Sequence, residues 1–229
     1  MNQTAINVTA ILVFMMTVST LMGPLFNLSP AIPAIATITV LGIATLDSFS
    51  LQGRGGTLLL DWIAGFSPAH RQRIIHHEAG HFLVAHLLSI SVFGYTLTAW
   101  EALKQGQPGQ GGVSFNDEEL LSQLEQGKIT AQLLDRYCTV WMAGVAAENL
   151  VYKNTEGGAD DRSKLNTVLS SLGFSASIRE QKQKFFALQA KNLLQQNWQA
   201  YEILVQAMSD RLSVSECKNK ITEYINIGG

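Results

Sequence analysis

From Met1 to Leu46 the chain contains no lysine, arginine, aspartate or glutamate; Asp47 is its first charged side chain. That gap pulls the overall charged content down to 15%, against about 25% in an ordinary globular protein. Cysteine is scarce as well. Cys138 and Cys217 stand far apart, which excludes a disulfide scaffold, a metal knuckle and a CxxC redox pair, and leaves two reduced thiols. The formal net charge is −2 and the pI about 6.2. With no excess of basic residues, a nucleic-acid partner is excluded. No internal repeat or low-complexity tract is present.

At 229 residues there is room for one ordinary domain and an appendage. The uncharged head is that appendage. Its first apolar run, Ala5–Met22, is just long enough to cross a hydrocarbon core of about 30 Å. The stretch "GPLFNLSP" (Gly23–Pro30) breaks it, and a shorter run, Ala31–Leu46, follows. A secretory signal fits poorly, because "MNQT" carries no basic residue and a second apolar run follows at once. The expectation is a membrane helical hairpin over residues 1–50, a linker over 51–67, and a lipid bilayer as partner. Arg54, Arg71 and Arg73 follow the hairpin, so the positive-inside tendency puts the remainder on the cytoplasmic side, or its stromal equivalent.

Residues 68–229 read as a mostly helical domain. Apolar spacing gives a helix from about Ala69 to Ser89. "FGYTLTAW" alternates like a strand, "KQGQPGQGG" is a loop, and "GVSF" is a second short strand able to pair with the first. Helices follow over about 117–126, 129–152, 160–172, 177–210 and 214–226. In the longest, Phe186, Ala190, Leu193, Leu194, Trp198, Tyr201 and Leu204 form one stripe, most simply core packing. The expected fold is therefore mainly α, with a membrane hairpin followed by a helical domain that carries a small β-hairpin.

The chemistry sits in "HHEAGH". On a helix His77 and His81, four residues apart, share a face and can present two imidazoles to one metal ion. Glu78 lies beside the same pocket, where it can take a proton from an attacking water and pass it to a leaving amine. Gly80 costs roughly 1 kcal/mol relative to alanine inside a helix, which suggests a close approach to its backbone. His70, His76 and His86 lack the two-ligand spacing and read as exposed or supporting residues. A third ligand must come from elsewhere. Glu148, on an otherwise apolar helix face, needs a partner and suits a place in or beside the coordination sphere. Asp160 and Asp161 open the next helix, where one can serve the helix N-terminus and the other a metal.

Taken in order, these segments resemble the peptidase domain of the FtsH-type membrane-bound zinc proteases. "HHEAGH" is similar to that family's HEAGH helix, "GYTLTAW…GGVSF" to its paired strands, and "WMAGVAAENLVY" to its MAGRxAEE helix. "TEGGADD" resembles its TGAxxD segment, and "NLLQQNWQAYEILVQAM" its late helix. The likeness spans about Pro68–Leu212. It implies zinc held by His77, His81 and Asp161, Glu78 as general base, and Glu148 as a supporting residue near the metal. It also implies two membrane spans with the peptidase on the cytoplasmic side.

Departures are visible too: Val145, Asn149 and Gly158 stand where the family has Arg, an acidic residue and Ala. No GxxxxGK[ST] segment occurs in the chain, since "EQGKIT" lacks the upstream glycine. The expectation is thus a membrane-anchored zinc metallopeptidase without its own ATPase motor, acting on unfolded or membrane-associated polypeptides. Its expected partners are copies of itself or ATPase-bearing relatives. The alternative is a zinc-binding but proteolytically silent scaffold or regulatory subunit of a larger membrane protease complex.

Overall fold

The computed structural model describes residues 3–23, 29, 31–39, 67–105 and 112–225. In chain order its elements are α1 (Gln3–Met22), α2 (31–39), α3 (Pro68–Leu87), β1 (Val92–Tyr95), α4 (Ala99–Lys104), β2 (Val113–Phe115), α5 (Glu118–Glu125), α6 (Ala131–Trp141), α7 (Ala143–Tyr152), α8 (Ala159–Ser171), α9 (Ala176–Gln196), α10 (Trp198–Ser209) and α11 (Val214–Ile225). They fall into two units, residues 1–68 with 98–110, and residues 69–97 with 111–229. The expected fold class holds in its coarse form, mainly helical with one small antiparallel sheet.

In the first unit, Ser29 starts α2 by accepting from the Ala31 N–H at 3.3 Å. Thr17, Thr20, Thr37 and Thr39 return their hydroxyls to carbonyls four residues back on their own helices, at 2.8–2.9 Å. Each hydroxyl is thereby satisfied without water. The Thr37 hydroxyl also lies 3.6 Å from Met16 Sδ, which ties α2 to α1. Ile11, Phe14, Leu21 and Ile38 remain exposed. Among the described residues, no helix is long and apolar enough to cross a membrane. The helix at 31–39 covers only about 14 Å, under half of a hydrocarbon core, and α1 opens on the polar residues Gln3, Thr4 and Asn7. The two spans expected over residues 1–50 are therefore not carried by the described helices; residues 40–50 and the linker up to 66 lie outside the description.

The second unit holds the core, with Phe82, Leu83, Leu165, Leu169, Phe186, Leu194, Tyr201, Leu204 and Ile221 all fully or almost fully buried. α9 packs on α6, α7 and α8, while α11 packs on α10 and β1. Side chains set the element starts. Thr130 caps α6 through the Leu133 N–H, and Ser175 caps α9 through the Ile178 N–H. At α11, Ser213 and Glu216 form a reciprocal box: the Ser213 N–H donates to Glu216 Oε2 at 2.8 Å, and the Glu216 N–H returns to Ser213 Oγ at 3.4 Å.

The strands pair antiparallel as expected, Val92 opposite Phe115, Gly94 opposite Ser114 and Tyr95 opposite Val113, with a bulge at Phe93. Three boundaries differ from the sequence reading. The first strand ends at Tyr95 instead of Trp100, because Thr98 caps a new helix by accepting from the Glu101 N–H at 3.1 Å. The helix expected over 177–210 is divided at Asn197, where the backbone leaves helical values (φ −118°, ψ 36°) and the side-chain amide also donates to the Leu193 carbonyl at 2.9 Å. The helix expected over 129–152 is divided at Met142, although its φ of −86° and ψ of −2° stay near helical values.

The close approach suspected at Gly80 is real. A methyl group there would come within 2.7 Å of both the Ala143 carbonyl oxygen and the Ala147 methyl, so α3 and α7 cross with their backbones nearly touching. The Gly80→Ala variant gains helix propensity but overpacks this crossing. A net loss of about 1–3 kcal/mol is expected, read as a lower midpoint in urea unfolding.

Candidate metal centre

The site is assembled from three helices and one strand of the second unit. Along α3, His77 and His81 fall one turn apart, with their rings 4.8 Å apart and their Nε2 atoms 3.1 Å apart. Asp161 enters from the first turn of α8, its Oδ2 lying 3.2 Å from His77 Nε2 and 3.4 Å from His81 Nε2. These three residues form a group that could hold a metal ion.

Tautomers decide whether the group suits a cation. His81 Nδ1 lies 2.7 Å from the Val140 carbonyl, which can only accept. His81 therefore carries its proton on Nδ1 and turns a lone pair at Nε2 toward the centre. His77 Nδ1 lies 2.7 Å from Glu148 Oε1. Glu148 is a carboxylate: burial opposes its charge, but His77, the Glu156 N–H and Arg73 lower its pKa to about 2. His77 thus also donates from Nδ1, and Nε2 is the atom it turns toward Asp161 and His81. Once His77 gives up the proton on Nε2, the two imidazoles and the carboxylate would offer a cation three acceptor atoms 3.1–3.4 Å apart. Atoms bound at 2.0–2.1 Å to a tetrahedral ion are separated by about 3.3–3.4 Å, so the spacing suits a small cation.

The surrounding charge points the same way. Burial works against a positive His77, yet its bonds to Asp161 and Glu148 and the nearby Glu78 outweigh it and raise its pKa to about 10. Arg73 neutralises Glu148 through an ion pair of 2.9 Å. Once a cation displaces that proton from His77, Asp161 and Glu78 are the two negative charges left to balance one divalent ion.

Glu78 lies beside this cluster as the helix dictates. Its Oε2 accepts from the Val113 N–H at 3.0 Å, which links it to β2. Burial raises its pKa, against the opposing influence of His77 and His81. Gly112, at φ +129°, leaves room for this carboxylate, since a methyl group there would meet Glu78 Oε2 at 2.9 Å.

Glu148 is the most enclosed polar group in the site, with 1% exposure. Besides His77 and Arg73 it accepts from the N–H groups of Glu156 (2.8 Å) and Gly157 (3.1 Å). It therefore fixes both an imidazole and the loop that leads to Asp161. Three glycines keep this packing open. A methyl group on Gly144 would overlap the His77 ring, and one on Gly157 would come within 2.5 Å of Glu148 Oε1. Gly158 precedes α8 in the left-handed region at φ +77°, which glycine adopts without strain. The Glu148→Gln variant is expected to bind the metal 10–100-fold more weakly, as found for partners that orient a ligating histidine. Competition with a chromogenic chelator measures it.

The five site residues singled out from sequence thus lie together. Asp160 does not join them; it is exposed in the first turn of α8, where it faces the helix N-terminus. His76 is half-buried between Tyr152 and Tyr201, with its Nδ1 2.9 Å from the Tyr201 hydroxyl. His86 is half-buried, and His70 is half-buried instead of exposed. Sequence reasoning missed Arg73, which also bonds Asn154 and Glu156 and stacks 4.3 Å from the Tyr152 ring centroid. Its spacing, four residues before His77 on the same helix, was an available signal. It also missed the Val140 carbonyl, presented to His81 just before the interruption at Met142.

In comparisons with known proteins, no family model and no curated protein matches the chain.

Proposed function

We propose that this chain is a zinc-dependent endopeptidase of the FtsH type. The supporting observation is the convergence of His77 Nε2, His81 Nε2 and Asp161 Oδ2 within 3.1–3.4 Å of one another, with the half-buried carboxylate of Glu78 beside them. Two imidazoles and one carboxylate form a donor set suited to zinc, leaving a fourth position open. A zinc ion held by His77, His81 and Asp161 would supply Lewis acidity, lowering the pKa of a water and polarising a peptide carbonyl.

The chain's own groups account for the remaining steps. Glu78 takes the proton of the attacking water and delivers it to the leaving amine; burial makes its carboxylate more basic than a solvated one. The Val113 N–H holds Oε2 in place while this happens. β2 uses the Gly112 carbonyl and the Asn116 N–H toward β1, so Val113 and Phe115 turn their backbone groups the other way. An extended substrate aligned along that edge would bring its scissile bond past Glu78.

The proposed substrates are unfolded or membrane-associated polypeptides, which can present an extended segment to the β2 edge. ATPase-bearing relatives or further copies of this chain are the proposed partners. The uncharged head, with Ile11, Phe14 and Leu21 exposed, is the proposed contact with a bilayer, the peptidase lying on the cytoplasmic or stromal side. The test is cleavage of casein in detergent. Activity should disappear with a chelator and return with zinc. A fully zinc-loaded protein that leaves casein intact would overturn the peptidase reading in favour of a scaffold.

A further inference from the structure

We propose that the open cleft bounded by α8 and α9 docks carboxylate-bearing segments of the polypeptide substrate, a role that rests on the peptidase reading above. The cleft measures ≈ 850 Å³, and none of its lining residues is an aspartate or glutamate. Arg162 from α8 and Arg179 from α9 both face it. Each is held by one backbone carbonyl: Arg162 Nη2 donates to Gly157 O at 3.1 Å, and Arg179 Nη1 to Phe174 O at 2.7 Å. Among the described residues neither guanidinium is paired with a carboxylate. Both are half-buried and oriented, with donors left over, in a chain whose net charge is negative. An anionic group completes such a fork bidentately.

The other walls favour a peptide over a compact phosphate. Ser163, Asn166, Thr167 and Gln183 offer both donors and acceptors, as an extended backbone requires. From Ala159 to Ser170 the wall runs about 17 Å along α8, the length of roughly five extended residues. Its upper end, Ala159, is two residues from Asp161 along α8. Arg162 also grips the carbonyl of Gly157, whose N–H supports Glu148.

The experiment titrates the Glu78→Gln protein with a fluorescent unstructured peptide bearing two glutamates, and with its glutamine counterpart. The acidic peptide should bind about tenfold more tightly at low salt, and the preference should shrink as salt rises. The Arg162→Gln/Arg179→Gln double variant should lose the preference. Ser170→Asp, at an exposed cleft position that anchors neither arginine, should weaken acidic-peptide binding even if the double variant misfolds. Equal affinity for the two peptides, or a preference that survives either change in a folded protein, overturns the proposal. So does inorganic phosphate that binds more tightly than the acidic peptide. The peptidase reading fails separately: a zinc-loaded wild type that cleaves neither peptide ends it, while an arginine-dependent acidic preference would still stand.

Discussion

Glu78→Gln should abolish peptide hydrolysis, lowering kcat by roughly 10²–10⁴-fold, the usual contribution of a positioned proton acceptor, while the metal stays bound. The glutamine oxygen can still accept from the Val113 N–H, so the contact between α3 and β2 survives. What disappears is the negative charge able to take a proton. Glu78 is not among the three converging ligand residues, and metal content near one per chain is therefore expected in both proteins. The fold should not suffer. Burial raises the Glu78 pKa above its ordinary value, so the ionised carboxylate disfavours the metal-free folded state at neutral pH, and a neutral isostere removes that cost. Unfolding midpoints of the metal-free variant should equal or exceed wild type. Casein turnover, metal analysis and urea unfolding test these three statements together, and undiminished turnover would sink the assignment of Glu78 as base.

Asp161→Ala should empty the centre. Removing Oδ2 leaves two imidazoles and no protein anion in direct contact with the ion. Loss of an outer partner such as Glu148 already costs 10–100-fold in affinity, so loss of a ligand should exceed about 100-fold. Metal content after dialysis should fall from near one per chain to near zero, and zinc should stop raising the melting temperature, since that increase requires binding to the folded state. The helix itself should persist. Asp160 keeps an acid in the first turn of α8, and losing one of two such charges costs only about 0.3–1 kcal/mol. Asp160→Ala is the control and should retain its metal. If Asp161→Ala also retained it, the third ligand would have been misassigned.

Residues at short spacing were legible in the chain. His77, Glu78 and His81 follow from one turn of helix, and Gly80 announced its contact because glycine is costly there without a reason. Capping boxes were written just as plainly at Thr98–Glu101 and Ser213–Glu216, yet the first was overlooked beneath a strand-like alternation. Asn197 illustrates the opposite difficulty. A continuous apolar stripe from Phe186 to Leu204 reads as one helix, and a non-helical backbone at Asn197 (φ −118°, ψ 36°) divides it.

The sequence by itself determined the helical character, the two-histidine face with its adjacent carboxylate, and the pairing of the two short strands. All of these depend on periodicities of two or 3.6 residues that any local window contains. The residues alone left Asp160 and Asp161 open and the family likeness implied Asp161; only the tertiary structure brings that acid onto the histidine pair and shows what holds it. Asp160 and Asp161 are neighbours in the same helical turn, and because successive side chains leave a helix about 100° apart, only one of them faces His77 and His81. Glu148 gains its place from His77, Arg73 and two loop N–H groups, with partners up to 75 residues away. Such contacts arise where Gly80, Gly144 and Gly157 let backbones and rings approach. A lone pair becomes a ligand only when a distant carbonyl or carboxylate has claimed the proton on the opposite side of its ring.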